Sequence, residues 1–455
     1  MEALVVIKPK TEFELRHDQE EALNRLFQFT ENDNESDSFI LSGSAGTGKT
    51  SLIKEYIRQL ERQKIDYVLL APTGQAAKVL AKKTGSRTKT LHSFVYVLQE
   101  EEVNETIRYR FIPRQVEVNK RLVIIVDEAS MVNTIAASNE VFVSTNSVLD
   151  DLVKYYKECP NGSKIIFVGD PYQLPPVGEY ESVALNADKL SEKYRLSVIG
   201  YNLTEILRHG KESYILRNAS ILRKLIESKQ QYSPPLKYKE MYRSDLAIGH
   251  YCSHFDHEKI GQVVFLGWKN LTVFKLNLAI RSRLLNEPSA ILCEKEQIIV
   301  GQSYFGKKYL AAGEIGKILS FDISSKEQIA GKTFAEAEFQ FTMANGEVVS
   351  FKSKFDMDYL LNNKLENEHE IRKNLWADRK KHNKLFRETE NISDDPYLSA
   401  IKIKYGYAIT THKAQGSEWD HVFLYPEFPL DENRLKWIYT AITRAKYELY
   451  SFSEA

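Results

Sequence analysis

The strongest constraint on this chain is one run of residues, Gly43-Ser44-Ala45-Gly46-Thr47-Gly48-Lys49-Thr50. It fits the pattern G-x-x-x-x-G-K-[S/T] without a departure. The apolar stretch at 38–42 stops at the first glycine, and a helical pattern runs from Lys49 to about Arg62. A strand that ends there and a helix that begins there leave a loop whose backbone N–H groups turn inward at the positive end of a helix dipole. Such a loop cradles phosphate. Lys49 is expected to neutralise β- and γ-phosphate charge, and the Thr50 hydroxyl to ligate Mg²⁺. A ligand-free glycine turn is the bland alternative, and strand, helix and Lys-Thr pair together speak against it.

The loop belongs to an α/β pattern. Apolar runs at 67–71, 122–126 and 164–168 read as strands buried on both faces, and 75–83 reads as a helix. Strands of this kind alternating with helices imply a parallel, doubly wound sheet. The run 122–126 ends in Asp127-Glu128, which puts two carboxylates at the edge where nucleotides bind. Asp127 is expected to hold Mg²⁺ through water, and Glu128 to orient and deprotonate an attacking water. These features predict an NTPase. Runs at 263–266, 407–411 and 421–425 suggest a second such sheet. Between them, alternating segments at 336–342 and 347–351, split by Ala344-Asn345-Gly346, suggest a small antiparallel unit.

Composition excludes more than it assigns. With 62 Lys plus Arg against 62 Asp plus Glu, bulk charge gives no hint of nucleic acid, so any basic track must be local. No run approaches a membrane span. Cys159, Cys252 and Cys293 lie too far apart for a zinc module and fit a reducing, intracellular compartment. The N-terminal stretch lacks the marks of a signal peptide.

Further motifs carry a resemblance. Gly169-Asp170-Pro171-Tyr172-Gln173-Leu174-Pro175-Pro176-Val177 resembles motif III of superfamily 1 helicases. The run 71–77 (APTGQAA) resembles motif Ia, 90–94 (TLHSF) motif Ib, 410–418 (TTHKAQGSE) motif V and 439–445 (YTAITRA) motif VI. Their order spans nearly the whole chain, and the T-L-H-S and T-H-K-A-Q-G forms are similar to the 5′→3′ branch, superfamily 1B, with its RecD-like and phage Dda-like members. The resemblance implies two RecA-like P-loop NTPase domains, residues 1–205 and 206–299 plus 401–455. It further implies a β-hairpin insertion at about 95–120 in the first and an SH3-like β insertion with a charged helical extension at 300–400 in the second.

Residue roles follow from the same resemblance. Gln173 would sense the γ-phosphate, and Arg208 and Arg444 would reach it; the planar guanidinium suits that work because it stays charged and binds phosphate bidentately. Gln19 resembles the glutamine that reads adenine, and Trp268 stands where an aromatic stacks on adenine or DNA, with a core role as the other reading. Pro72, Thr73, His92, Phe94, Thr411, His412 and Lys413 sit in motifs that contact the strand in relatives. The segment 106–112 (TIRYRFI) alternates as a hairpin strand, where relatives carry a duplex-splitting pin. Tyr109 or Phe111 would then flank the last base pair, and at least one of them is expected to pack on the core instead. The basic positions between 372 and 387, from Arg372 to Arg387, are interspersed with acids and are expected to form a solvated face, with a flank for the exiting strand as the other reading. The implied function is that of a monomeric helicase that uses ATP and Mg²⁺ and acts on single-stranded and forked DNA. A slow, ATP-gated clamp or scaffold and an RNA helicase are the alternatives.

Overall fold

The computed structural model describes residues 15–31, 36–103, 106–136, 142–205, 213–230, 232, 234–285, 291–306, 308–343, 347–361 and 368–453. Its first sheet has six parallel strands. They run in the order Thr88–Thr90, Asp66–Ala71, Leu122–Val126, Lys164–Gly169, Ser38–Gly43 and Val198–Leu203. Strands and helices foreseen in this half are present to within one residue at each end. Because all strands point the same way, their C-terminal ends share one edge, and the chain's polar turns emerge there. Helix Lys49–Arg62 follows the first turn and buries Leu52, Ile53, Tyr56, Ile57 and Leu60 against the sheet. Each such side chain contributes roughly 1.5–3 kcal/mol, which fixes the loop that opens the helix. Helix Gly74–Thr84 is capped by Thr73, whose hydroxyl accepts from the Ala76 N–H at 3.1 Å.

A hairpin leaves this lobe between Tyr96–Val103 and Thr106–Pro113, paired antiparallel from Tyr96↔Pro113 to Val103↔Thr106. Its base packs on the lobe through Tyr96 and Phe111, with ring centroids 5.1 Å apart.

The second sheet is also parallel, in the order Met241–Arg243, Ala445–Ser453, Trp419–Leu424, Val263–Gly267 and Ala408–Thr410. A third, antiparallel sheet is inserted before its last three strands in the chain. Its order is Val348–Asp356, Lys332–Thr342, Ile315–Ile329, Gln297–Val300 and Ile403–Tyr405. The expected turn at 344–346 lies outside the described residues. Strand Ile315–Ile329 had no clear sequence signal, because its outer half is polar and half exposed. Second and third sheets share one core, in which Tyr251, Phe265 and Phe423 meet Ile298, Phe339 and Phe355.

The charged stretch keeps a solvated face and buries an apolar one. Helix Glu368–His382 buries Leu375 and Trp376, and Trp376 meets Phe386 edge-on at 4.7 Å. Arg379 donates to the buried Asp395 at 2.8 Å. On the other side Lys381, Lys384 and Arg387 stay exposed to water. Among the described residues, no helix is long and apolar enough to cross a membrane.

Candidate nucleotide site and nucleic-acid interface

A cleft of about 510 Å³ opens where the two parallel sheets face each other. Lys49, Thr50, Asp127, Glu128, Gln173 and Arg444 all line it, together with Ala45, Gly46 and Gly48. Gly46 and Gly48 hold φ of 86° and 80°, which an L side chain resists, so the turn requires glycine there. The Lys49 ammonium rests on the loop's own carbonyls, Gly43 at 2.6 Å and Ser44 at 3.1 Å. The buried Thr47 hydroxyl also donates to the Ser44 carbonyl, at 2.9 Å. Arg208 lies outside the described residues.

Burial pushes the Asp127 carboxyl up to about 7, helped by repulsion from Glu128 and opposed by Lys49 and Lys83. Glu128 itself sits in the left-handed region, φ 50° and ψ 40°, a strained backbone of the kind that functional sites retain. A buried carboxylate beside a second acid, lining the same cleft as the Thr50 hydroxyl, is a hard oxygen donor set. That chemistry fits a Mg²⁺ ion held by Thr50 and Asp127.

Two cations of the cleft, Lys49 and Arg444, rest on neutral oxygens. Arg444 is 4% exposed and donates to the carbonyls of Thr440 and Ser417 at 3.0 and 3.1 Å and to the Thr443 hydroxyl at 3.2 Å. Neither it nor Lys49 has a carboxylate partner among the described residues, so each has charge to offer an arriving phosphate. Gln173 is buried, and its Oε1 finds no partner among the described residues. Beside it the Leu174 backbone is gripped from the second lobe: its N–H donates to Thr440 at 2.8 Å and its carbonyl accepts from Gln415 at 2.9 Å. Tyr439 spans the same seam, donating to Asp170 at 2.7 Å and accepting from the Ala45 N–H at 3.3 Å. The amide that faces the cleft is therefore tied to the other lobe.

Two residues expected at the nucleotide, Gln19 and Trp268, do not line this cleft. Gln19 is buried behind the phosphate loop, with Nε2 3.5 Å from the Thr47 carbonyl, and does not line the cleft. Its neighbour Asp18 grips the segment leading to Arg208, accepting from Thr204 N–H at 2.7 Å and Glu205 N–H at 2.9 Å. Trp268 is half-buried against the second lobe's core with Lys269 over its ring at 4.8 Å, away from the cleft. Lys54, Lys83 and Glu418 line the cleft without having been foreseen. Glu418 closes the T-H-K-A-Q-G-S-E run and was legible there; the lysines are ordinary helix residues in sequence.

A larger cavity of about 1030 Å³ lies on the other side of the same elements. Pro72, Thr73, His92, Phe111, His412 and Lys413 line it. Phe94 does not; it packs edge-on against Tyr155 at 4.9 Å within the first lobe. Thr411 is fully buried and also stays out of the lining. The side chain of Tyr109 lies outside the described residues. Tyr309 and Arg372, from the inserted part, complete the wall; Arg372 opens the basic run of the sequence, whereas nothing there marked Tyr309. Burial lowers the His92 and His412 imidazoles, so near neutral pH they offer hydrogen bonds and ring faces and not charge. It also lowers Lys413. Three segments reach both cavities. Asp127 and Glu128 face the cleft and Met131 the channel; Ala76, Leu80 and Lys83 face the cleft and Thr73, Gly74 and Gln75 the channel; Gly416 and Glu418 face the cleft and His412, Lys413 and Gln415 the channel.

Known proteins share this arrangement. Residues 14–224 match the AAA domain family, and 405–450 match the UvrD-like helicase C-terminal domain. The chain is 25% identical over 446 residues to the ATP-dependent DNA helicase dda of Enterobacteria phage T4, covering 90% of this chain and 93% of that protein. It is also 25% identical to the RecBCD enzyme subunit RecD of Buchnera aphidicola, covering 95% and 74%. The crystal structure of the Pif1 helicase from Candida albicans superposes with a TM-score of 0.52 at 16% identity, over 97% of this chain and 95% of that one, which shows the fold of two RecA-like domains. With the phosphate loop, its carboxylates and the ordered motifs all in their places, the chain is similar to DNA helicases of superfamily 1B over nearly its whole length.

Proposed function

We propose that this chain is an ATP-dependent DNA helicase that moves 5′→3′ along a single strand and separates duplex at a fork. One observation carries the reading: the segments 73–83, 127–131 and 412–418 each line both the nucleotide cleft and the channel behind it. A change at one cavity is therefore a change in the wall of the other, which is what a motor requires of its fuel site and its track. In this reading Lys49 and Mg²⁺, held by Thr50 and Asp127, bind the phosphates of ATP. Glu128 aligns water, Gln173 reports the γ-phosphate, and Arg444 and Arg208 stabilise charge as the lobes close. Gln19, lying against the phosphate loop, reads adenine once the base is present.

The channel would take the strand by its backbone and its base faces without reading sequence. Pro72, Thr73, His92, Phe111, His412 and Lys413 supply the contacts. The hairpin at 96–113 is the duplex-splitting pin, and the antiparallel sheet is the SH3-like insertion that roofs the track. The chain works as a monomer, with both cavities built from one copy. Strand displacement on 5′-tailed and 3′-tailed duplexes, each in DNA and RNA, tests the reading. Displacement of the 5′-tailed DNA alone is expected. Preference for the 3′ tail would overturn the polarity, and preference for RNA the substrate.

A further inference from the structure

We propose that Arg223 is a positioning residue of the nucleotide site, acting on the phosphate loop through Ser44 and carrying closure of the second lobe into that loop. The assignment rests on the motor reading above and adds a residue to it. Arg223 sits on helix Tyr214–Glu227, whose inner face buries Ile215, Asn218, Ala219, Leu222 and Leu225 in the second lobe. Asn218 locks that helix in place by accepting from the Lys237 N–H at 3.0 Å and donating to the Lys237 carbonyl at 2.6 Å. Arg223 points the opposite way, across the seam. Its Nη1 donates to the Ser44 hydroxyl at 2.9 Å. Ser44 is 3% exposed, and its carbonyl is one of the two that hold the Lys49 ammonium. One loop residue thus carries the phosphate-binding lysine on its backbone and an arginine of the other lobe on its side chain.

Two neighbours sharpen the assignment. Tyr439, also from the second lobe, holds the next loop residue by accepting from the Ala45 N–H. Consecutive residues of the loop are therefore tethered to the lobe that must move. Meanwhile Arg444 spends its hydrogen bonds within its own lobe, so among the described arginines of the site Arg223 is the one that bonds across the seam. Its Nε is buried and finds no partner among the described residues. A guanidinium with one donor on a hydroxyl and a second unspent is held by position more than by satisfaction, since a buried unmade hydrogen bond costs stability. Its planar fork suits that role better than a lysine. When the second lobe shifts, the pull on Ser44 changes how the loop presents its N–H groups and Lys49 to phosphate.

The test uses the full chain with Arg223→Ala, Arg223→Lys, Ser44→Ala and the double variant Ser44→Ala/Arg223→Ala. Steady-state ATP hydrolysis is measured with saturating single-stranded DNA. Arg223→Ala is expected to lower kcat roughly tenfold, the scale of one charge-assisted hydrogen bond, while KM for ATP moves far less. Arg223→Lys should recover part of the loss. The double variant should be no worse than Arg223→Ala, because both changes remove the same bond. Losses that multiply in the double variant, or an unchanged kcat in Arg223→Ala, overturn the assignment. If Arg223→Ala fails to fold, Ser44→Ala, which removes only the acceptor, carries the same kcat and KM readout. An unmodified chain without strand-stimulated hydrolysis would bring down the motor reading and Arg223 with it; normal hydrolysis in both proteins brings down Arg223 alone.

Discussion

Gly74→Ala tests whether the channel is closed by contact between the lobe at 38–203 and the inserted part. Gly74 opens the helix that separates cleft from channel, and it lies against Ala311. A methyl built on Gly74 would fall within the Ala311 Cβ, with Ala311 Cα at 3.3 Å and the Tyr309 hydroxyl at 3.7 Å beyond it. Neither side yields easily. Thr73 caps the Gly74 helix, while the Ala311 N–H donates to Glu314 at 2.5 Å and the buried Glu314 pairs with Lys78 of that same helix. Relief must come from parting the two surfaces. Overpacking of this kind costs about 1–3 kcal/mol. Taken up wholly by the closed channel, it lowers strand affinity roughly 5- to 150-fold, since 1.4 kcal/mol is a factor of ten. Fluorescence anisotropy with a labelled oligonucleotide measures it. Ala311→Gly removes the obstructing atom, so the double variant should return to within about threefold of the unmodified affinity. Gly74→Ala that binds the strand normally, or that Ala311→Gly fails to rescue, would refute the reasoning.

Other expectations follow from the same geometry. Lys49→Ala should abolish ATP turnover, whereas Glu128→Gln should keep ATP binding and stop hydrolysis, because Lys49 meets the phosphates before reaction and Glu128 acts on water; equilibrium binding of a fluorescent ATP analogue beside single-turnover hydrolysis separates the two. Trimming the hairpin beyond Leu98 and Phe111 should slow unwinding more than translocation on single strands, since each base-pair step costs roughly 1–2 kcal/mol to open; equal losses would make it a brace of the first lobe. Strand affinity should fall as pH rises above neutrality. Lys413 lines the channel, and burial lowers its ammonium below the ordinary lysine range. A phosphate favours the charged form, so binding takes up protons and weakens as they become scarce; a flat profile measured at constant ionic strength would exclude this contribution.

What the sequence disclosed and what it withheld divide on a physical line. The phosphate loop, the Asp127-Glu128 pair and the parallel strands were legible because local sequence dictates them: glycines for a left-handed turn, apolar runs for strands buried on both faces. Gln173, Arg444 and the channel residues from Pro72 to Lys413 were legible only through motif resemblance, since nothing in a lone histidine or glutamine says where the chain will carry it. Arg223 and Lys83 were not legible at all. Each owes its place to a contact between parts of the chain far apart in sequence, and each reads locally as an ordinary helix residue. Trp268 and Phe94 show the converse, aromatics in motif positions whose packing partners hold them in a core.

The core shared by the second and third sheets makes the insertion a lever. With Phe265 and Phe423 packed into the same interior as Phe339 and Phe355, the antiparallel sheet cannot swing on a hinge of its own; it must travel with the lobe that carries Arg444 and Arg223. A small rotation about the seam is therefore magnified along the length of that sheet. The edge strand of that sheet, Val348–Asp356, would move with it. A fluorophore placed there, read against one on the first lobe, would turn each cycle of ATP into a change of distance visible in a single molecule.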